Sequence, residues 1–442
     1  MEPCVKRPVG RQVLPPDGGY GWFIVLSTFL VFGLTFGIIK AFGVFFVEIQ
    51  QHFVTSATEC SWITSIAVAT IHFGAPFGSA LSAYFSPRSV VMFGGLLSAV
   101  GMVAGAYAQS LPQLYFCVGF LSGFGYALTW TPTVTTLGWY FNRRRPLANA
   151  LSSTGECIIT FLFTPLFQLF VDQYSWRSGL LLLGGLQLHL CVCGALLRPL
   201  TQTKETRLGE EEGLELEPED HAETTPDSKF KPVSATSERT CFDFKRRVQR
   251  YVDYSLIGSA HFMVYSMFGL FAALGFFAPA LFLVPYARSL GIEEYRSAAL
   301  LSISAALDLT GRLVFGWVAN MRLIKMVHQL MVTVLLLGTV LLLCPLATTF
   351  GQLVAFSAGY GLVFGATVSI HITMLAEVVG VNRLGSALGF FMLIRSCGGL
   401  LGPPLAGLFI DKMGDYSSGF LMAGVALIVS AFCLLLLHQM NR

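Results

Sequence analysis

Twelve long apolar runs dominate this chain and restrict what it can fold into. A helix that crosses ~30 Å of hydrocarbon needs about 20 mostly apolar residues. Only 12% of the residues are charged, whereas soluble domains carry about a quarter, so lipid must solvate most of the surface. The first and seventh runs are longer than a span requires, which predicts tilts, kinks or an interfacial helix there. We predict an all-α polytopic membrane protein with twelve spans, at residues 20–46, 61–83, 89–109, 112–136, 146–171, 177–197, 256–286, 297–319, 325–345, 350–374, 384–408 and 418–438.

Basic residues between the spans predict the orientation of the protein. Excess Lys and Arg marks the cytoplasmic side of a membrane. The opposite connections are poor in these residues, except that the 7–8 connection contains Arg288 and Arg296. Both termini are then predicted to be cytoplasmic. The connections between spans 2–3, 4–5, 8–9 and 10–11 carry Arg88, Arg143, Arg144, Arg145, Arg322, Lys325 and Arg383.

Residues 199–252 differ in composition from the spans on either side. The stretch is polar, contains three consecutive glutamates at 210–212 and ends with a basic cluster at 245–247, a composition typical of a disordered linker. We predict an N-terminal cytoplasmic segment (1–19), a six-helix bundle (20–198), a cytoplasmic linker (199–252), a second six-helix bundle (253–438) and a short tail (439–442). This 6+6 plan resembles the major facilitator superfamily, in which the substrate binds between the halves near the midplane.

Three ionisable residues lie deep inside predicted spans. Each costs at least ~2.5–3.5 kcal/mol at the bilayer centre, so each is a candidate functional residue. Lys40 lies in span 1 with no acidic neighbour in that span, although a lysine near the headgroups can extend its amine outward. Asp308 and Arg312 lie four residues apart in span 8, on one helical face. One alternative is that they form a self-neutralising structural pair. The other is a binding site, in which Arg312 offers its donor fork to a carboxylate and Asp308 exchanges a proton when an anion competes for the cations.

Other polar residues in or near spans are weaker candidates. A single histidine inside a span is more often structural than part of a proton relay. Arg395 in span 11 either faces the pathway or pairs with Glu156 or Glu377. The arginine run before span 5 serves mainly topology, although Arg145 or Asn149 could line an inner vestibule. The remaining residues of this kind are His72, Glu156, His189, His261 and His371.

Composition and motifs exclude several functions. The 28 basic and 25 acidic residues leave a net charge of +3, which argues against binding of nucleic acid. The ten cysteines are scattered, mostly within apolar runs where they act as small apolar side chains. We find no metal-ligand cluster and no nucleophile–base set, and therefore predict no enzyme activity, no metal and no cofactor.

Three sequence elements resemble those of the monocarboxylate transporter family (solute carrier family 16). The first, Pro16-Asp17-Gly18-Gly19-Tyr20-Gly21-Trp22, is similar to the family signature before span 1. Residues 140–149 are similar to the signature before span 5, and in its continuation Ala150 and Ile159 stand where the family usually has glycine. The third element runs from Asp308 through Arg312 to Gly316 in span 8. The resemblance covers essentially the whole chain.

The resemblance implies roles for individual residues. Lys40, Asp308 and Arg312 match the residues that bind proton and carboxylate in the lactate carriers of the family. Phe364 matches an aromatic residue that limits the size of the substrate. An inner-side pair linked to gating is matched by Arg145 and Asn149.

Three positions depart from the pattern of the lactate carriers. His72 and Phe36 stand where those carriers have tyrosines in the pocket, and Arg395 stands where several have a glutamate. An extra cation favours a bulkier or more acidic anion, or a transport cycle without a proton. His72 is therefore assigned to substrate binding, and Phe36 and Arg395 to specificity.

These observations together predict a transporter. We expect it to move monocarboxylates such as lactate, pyruvate or ketone bodies with a proton, by alternating access in the plasma membrane. Family members often need a single-span immunoglobulin-type glycoprotein, which is a predicted partner besides the lipid bilayer. The alternative is a proton-independent facilitator of taurine, creatine or an aromatic amino acid. A non-transporting scaffold or sensor is disfavoured by the intramembrane charges, and a membrane enzyme is the least favoured class.

Overall fold

The computed structural model describes residues 17–141, 144–198, 254–321, 324–380 and 384–440. The predicted linker (199–252) lies outside the described residues, as does most of the predicted N-terminal segment. Arg143, Arg322 and Arg383 also lie outside them.

The described residues are helical and contain twelve segments that are long and apolar enough to cross a membrane, which confirms the predicted number. Spans 1 to 6 are Gly21–Ala41, Ala57–Ser82, Pro87–Ala106, Leu111–Tyr140, Leu147–Gln173 and Trp176–Leu196. Spans 7 to 12 are Ala260–Ser289, Glu294–Ala319, Met326–Leu346, Phe350–Val379, Ala387–Met413 and Ser417–Met440.

The helices themselves differ slightly from the spans because some continue past the apolar window and others are interrupted. The α-helices of the first half are Gly21–Phe32, Ile38–Ala41, Gly43–Phe53, Ala57–Tyr84, Pro87–Ala106, Leu111–Leu114, Ser122–Tyr140, Arg145–Gln173, Trp176–Gln187 and His189–Leu196, with π-helical turns at Gly33–Gly37 and Tyr115–Leu121. Those of the second half are Ala260–Phe276, Ala278–Ser289, Glu294–Asn320, Met326–Leu343, Phe350–Val379, Leu384–Met413 and Ser417–Met440, with 3₁₀ turns at Tyr254–Gly258 and Cys344–Leu346.

The two runs that are longer than a span needs are both interrupted. Span 1 contains the π-helical turn Gly33–Gly37 and is followed, after Phe42, by the helix Gly43–Phe53. Such turns inside α-helices occur mostly at functional sites, and this one ends three residues before Lys40. Span 7 is interrupted at Phe277, and Pro279 lies in the first turn of the helix that follows. The predicted irregularities are therefore present at these two places.

Glycines bring spans 8 and 10 into close backbone contact. A Cβ added at Gly365 would meet the carbonyl oxygen of Asp308, and one added at Gly361 would meet that of Ser304. Gly311 approaches the carbonyl of Leu362 in the same way. Small residues permit this approach between helices in membranes. It places Asp308 directly beside span 10.

Gly155 permits the same kind of approach between spans 5 and 1. A Cβ at this position would overlap the carbonyl oxygen of Phe29, and a backbone atom cannot rotate away. We expect Gly155→Ala to push the two spans apart, to destabilise the protein by about 1–3 kcal/mol and to lower its thermal unfolding midpoint in detergent.

Gly185 provides the matched control for this substitution. No atom lies within 4 Å of a Cβ built there, and alanine favours the helix more than glycine does. Gly185→Ala should therefore leave the unfolding midpoint unchanged or raise it slightly. Equal midpoints for the two variants would show that the contact between spans 1 and 5 is not tight.

Polar contacts join the two halves at the ends of the spans next to the 1–2, 7–8 and 11–12 connections. Arg288 donates to Glu48 at 2.9 Å, and Tyr416 donates to Gln50 at 3.1 Å. The carboxylate of Asp411 accepts the backbone N–H groups of Ala57 and Thr58 at 2.8 and 2.9 Å. An anion at the N-terminus of span 2 is also favoured by the helix dipole. The halves are therefore closed against each other on this side.

Candidate functional site

Four charged side chains from three spans meet between the two halves. They are Lys40 from span 1, Glu156 from span 5, and Asp308 and Arg312 from span 8; we call them the charged tetrad. The amine of Lys40 lies 2.7 Å from Glu156 Oε1 and 2.8 Å from Asp308 Oδ2. Arg312 Nη2 lies 2.9 Å from Glu156 Oε2. Each cation of the tetrad therefore contacts both carboxylates.

The guanidinium of Arg312 uses its whole donor fork. Its Nε donates to Asp308 Oδ1 at 2.8 Å, and its Nη2 also donates to Asp308 Oδ2 at 3.2 Å. The second terminal nitrogen, Nη1, donates to the carbonyl of Ser153 at 3.2 Å. The spacing of four between Asp308 and Arg312 makes this bidentate pairing possible on one helix.

The tetrad is buried and has no net charge when all four groups are ionised. The exposed fraction of the side chain is 3% for Asp308, 5% for Arg312, 11% for Glu156 and 17% for Lys40. Separate burial of these charges would be costly, and removal of one partner from a buried pair leaves an uncompensated charge that costs about 3–5 kcal/mol. The four groups are therefore expected to act as a unit.

Each half of the protein contributes one cation and one anion to the tetrad. Lys40 and Glu156 belong to the first half, and Asp308 and Arg312 belong to the second. If the halves separate, each keeps an internal ion pair, because Lys40 lies 2.7 Å from Glu156 and Arg312 lies 2.8 Å from Asp308. The contacts between the halves can therefore break without leaving an isolated charge in either half.

Aromatic rings from spans 7 and 10 cover one side of the tetrad. The amine of Lys40 lies 4.4 Å from the centroid of the Phe364 ring, a distance at which a cation is attracted to the ring face. Phe364 contacts Phe276 edge to face and lies 5.6 Å from Tyr360. The hydroxyl of Tyr360 donates to the carbonyl of Phe276 at 2.9 Å, which holds these rings together.

His72 and Phe36 lie beside each other on spans 2 and 1, with ring centroids 6.3 Å apart. Phe36 also packs edge to face against Trp130 of span 4. His72 Nδ1 lies 2.8 Å from the carbonyl of Val68 and therefore carries a proton, which it donates to that carbonyl. The two residues form an aromatic wall one helical turn along span 1 from Lys40.

Arg395 contacts neither of the carboxylates that were considered as partners for it. In the part of the chain that the structure describes, Glu156 pairs with Lys40 and Arg312, and Glu377 is exposed and forms no ion pair with Arg395. Arg395 instead lies 3.4 Å from His371 Nε2 and 5.4 Å from the centroid of Phe276. In this conformation the described residues therefore contain no ion pair between Arg395 and a carboxylate.

The remaining sequence candidates lie apart from the tetrad. The helix of span 5 begins at Arg145, but the side chain of that residue lies outside what the structure describes, and Asn149 is exposed one turn further along. His189 is exposed and contacts the carbonyl of Leu186. Among the described residues, no group of three or more His, Cys, Asp and Glu side chains could hold a metal ion.

Glu156 is the member of the site that sequence reasoning undervalued. The sequence analysis placed it among the weaker polar residues in or near spans. A sharper signal was available in the spacing from Asn149. Glu156 follows it by seven residues, or two helical turns, and the two residues therefore share a helical face. That signal could place Glu156 toward the pathway but could not identify its partners.

Comparisons with known proteins agree with this architecture. The sequence model of the Major Facilitator Superfamily matches residues 25–334 and 327–441. Monocarboxylate transporter 2 of Mus musculus is 36% identical over 442 residues, which cover 100% of this chain and 88% of the relative. Monocarboxylate transporter 7 of Homo sapiens is 37% identical, with 98% and 89% covered, and monocarboxylate transporter 13 of Rattus norvegicus is 39% identical, with 96% and 90% covered.

Solved structures support the fold alone. A POT family transporter in complex with 5-aminolevulinic acid superposes with a TM-score of 0.70 at 13% identity, covering 96% of this chain and 98% of that one. A bacterial homologue of the human lysosomal transporter Spinster, in an inward-facing and occupied conformation, gives 0.69 at 15% identity, with 96% and 98% covered.

Proposed function

The chain belongs to the monocarboxylate transporter family of the major facilitator superfamily and is a multi-pass membrane transporter, and we propose that it carries small monocarboxylates together with a proton. In this proposal transport occurs by alternating access across the plasma membrane. The relatives are transporters and not enzymes, and we assign no enzyme activity to this chain.

The neutral charged tetrad is the single observation that supports proton coupling most strongly. An anion that enters the buried and already neutral tetrad adds a charge that its four groups cannot compensate. A proton that arrives with the anion restores neutrality. We assign Lys40 and Arg312 to the carboxylate of the substrate and Asp308 to the proton, because Asp308 loses its cation contacts when the anion competes for them.

The aromatic residues around the tetrad would bound the rest of the substrate. Phe364 lies against Lys40, so its ring limits the room next to a carboxylate bound there. Phe36 and His72 form the aromatic wall one turn away along span 1. We propose that these residues set the size of the substrate, since pocket walls of this kind discriminate by shape and apolar contact.

The arrangement of contacts supports alternating access. The halves are closed on the side of the 1–2, 7–8 and 11–12 connections. We propose that the opposite side, with both termini, faces the cytoplasm, because the connections there are rich in basic residues. The conformation would then be closed toward the outside. We propose that Arg145 and Asn149, at the cytoplasmic start of span 5, act in the inner gate. A single-span immunoglobulin-type glycoprotein remains a proposed partner for delivery to the cell surface.

Uptake measurements at two pH values test the proposed function. We expect proteoliposomes containing the protein to take up labelled lactate, pyruvate or 3-hydroxybutyrate faster with an outside pH of 6 than of 7.5, with the inside held at 7.5. The lower outside pH supplies an inward proton gradient that drives the anion. Empty liposomes correct for diffusion of the protonated acids. Equal carrier-dependent rates at the two pH values would contradict proton coupling.

A second candidate function is a proton-independent facilitator of a zwitterionic solute. It is supported by the two carboxylates of the tetrad, because a zwitterion could place its anionic group on a cation and its cationic group on Glu156 or Asp308 without adding net charge. Taurine, creatine and an aromatic amino acid are the probes. Competition by these solutes with lactate uptake, combined with a rate independent of pH, would favour this function over the first.

A further inference from the structure

Arg395 is an intramembrane cation that the tetrad does not explain. It lies in span 11 and contacts side chains of the second half, His371 from span 10 and Phe276 from span 7. This part of span 11 packs against span 2, which carries His72, because the neighbouring Ser396 donates to the carbonyl of Ala69 at 3.3 Å. We call Arg395, His371 and His72 the Arg395 cluster. The cluster therefore lies between the two halves, as the tetrad does.

No carboxylate neutralises Arg395 among the residues that the structure describes. Its contacts are a neutral ring nitrogen and an aromatic face. A charge inside a membrane protein nearly always has a partner or a role in binding. The Arg395 cluster therefore has a free positive charge in the region that the substrate crosses.

Both histidines of the cluster donate from Nδ1 to a backbone carbonyl. His371 Nδ1 lies 2.8 Å from the carbonyl of Val368, and His72 Nδ1 lies 2.8 Å from the carbonyl of Val68. A guanidinium can only donate, so a hydrogen bond with Arg395 requires that His371 Nε2 is an acceptor and that this ring is neutral. His371 Nε2 faces Arg395 and accepts from it at 3.4 Å. His371 orients the guanidinium and, as a neutral ring, leaves its charge uncompensated.

Two aromatic rings connect the cluster to the tetrad. The Phe276 ring contacts both Arg395 and Phe364, and Phe364 in turn lies against Lys40. His371 follows Phe364 by seven residues, which is two turns on the same face of span 10 and about 10 Å along its axis. A continuous chain of ring contacts therefore joins the two cationic regions and gives them a shared apolar surface.

The total charge of the two regions indicates what kind of substrate fits both. The tetrad is neutral, and Arg395 adds one positive charge. A monocarboxylate that binds with a proton leaves this charge in place, whereas a dianion that binds with a proton cancels it. The hydrocarbon chain of such a dianion would lie against Phe276 and Phe364.

We propose that the Arg395 cluster is a second anion subsite, which binds a second anionic group of the substrate while the tetrad binds the first. The substrate class that uses the whole site is then an elongated organic dianion, such as a short-chain dicarboxylate. This inference rests on the proposed function, because it requires that the tetrad binds a carboxylate.

Uptake of labelled lactate, succinate and glutarate by proteoliposomes tests the subsite. We expect the wild-type protein to carry at least one of the two dicarboxylates in addition to lactate. In Arg395→Gln, the KM for that dicarboxylate should rise roughly 10- to 100-fold, the effect of losing a hydrogen bond to a charged group. The KM for lactate should change less than about threefold, because lactate has one carboxylate and that group binds at the tetrad.

Two controls make the outcomes distinct. Arg395→Lys keeps the charge and should retain most of the dicarboxylate uptake, and the thermal unfolding midpoint of each variant shows whether it is folded. Wild-type uptake of lactate without either dicarboxylate would overturn the subsite alone, as would equal losses for both substrates in folded Arg395→Gln. Uptake of none of the probes would overturn the proposed function itself.

Discussion

Replacement of Arg312 by glutamine is expected to abolish transport. Arg312 donates to both carboxylates of the tetrad and to the carbonyl of Ser153. Its planar donor fork can also bind a substrate carboxylate through two parallel hydrogen bonds. Glutamine removes the charge and leaves two buried carboxylates with Lys40 as their sole cation. We expect the rate of carboxylate uptake per folded molecule to fall at least ~100-fold, the factor that corresponds to about 3 kcal/mol.

The same substitution should also lower stability by about 3–5 kcal/mol, the cost of leaving a buried charge without its partner. The double variant Arg312→Gln with Glu156→Gln separates stability from function, because it keeps Lys40 and Asp308 as a neutral pair. We expect its thermal unfolding midpoint to recover while uptake remains lost. Arg312→Lys keeps the charge without the planar fork. Its uptake rate should therefore lie between those of the wild type and Arg312→Gln. Wild-type uptake by Arg312→Gln would remove this residue from the binding site.

Replacement of Asp308 by asparagine is expected to remove the dependence of uptake on pH. Asparagine cannot carry the proton, and the tetrad then contains two cations and Glu156, which leaves a positive charge that retains the anion. We expect net uptake at outside pH 6 to fall roughly 10- to 100-fold, since a charge-assisted contact is worth about 1.5–3 kcal/mol. The ratio of the rates at pH 6 and 7.5 should fall to about one, the value expected when no proton moves with the anion.

Glu156→Gln is the matched comparison for Asp308→Asn, because it removes the other carboxylate of the same tetrad. If Asp308 carries the proton, Glu156→Gln should slow uptake but keep a clear difference between the two pH values. Asp308→Glu should keep that difference as well. If uptake lost its pH dependence in Glu156→Gln and kept it in Asp308→Asn, Glu156 and not Asp308 would be the residue that carries the proton.

Local sequence information located the parts of the site that depend on one helix. The spacing of four between Asp308 and Arg312 predicted that they share a face, and they do form a bidentate pair. Lys40 was singled out because a charge inside an apolar run is costly. Its partners could not be predicted, since Asp308 lies 268 positions away along the chain and Glu156 lies in another span.

The open alternatives for Arg395 show the same limit. The sequence allowed it to face the pathway or to pair with a glutamate, because both choices satisfy a buried cation. Which one occurs depends on the packing of spans 7, 10 and 11, which places Phe276 and His371 beside it. That packing depends on small residues and backbone approach, and neither is visible in the pattern of charges.

The sequence by itself therefore determined the class of protein, the number of spans and the three most prominent intramembrane charges. The physical reason is that the free energy of transferring a segment into lipid is a sum of contributions from its own residues. The apolar runs and the charges that interrupt them can therefore be identified from local sequence. Only the tertiary structure decided that Glu156 completes a neutral tetrad and that Arg395 has no carboxylate partner among the described residues. Ion pairing depends steeply on distance, and the distances between spans are set by how the two halves pack.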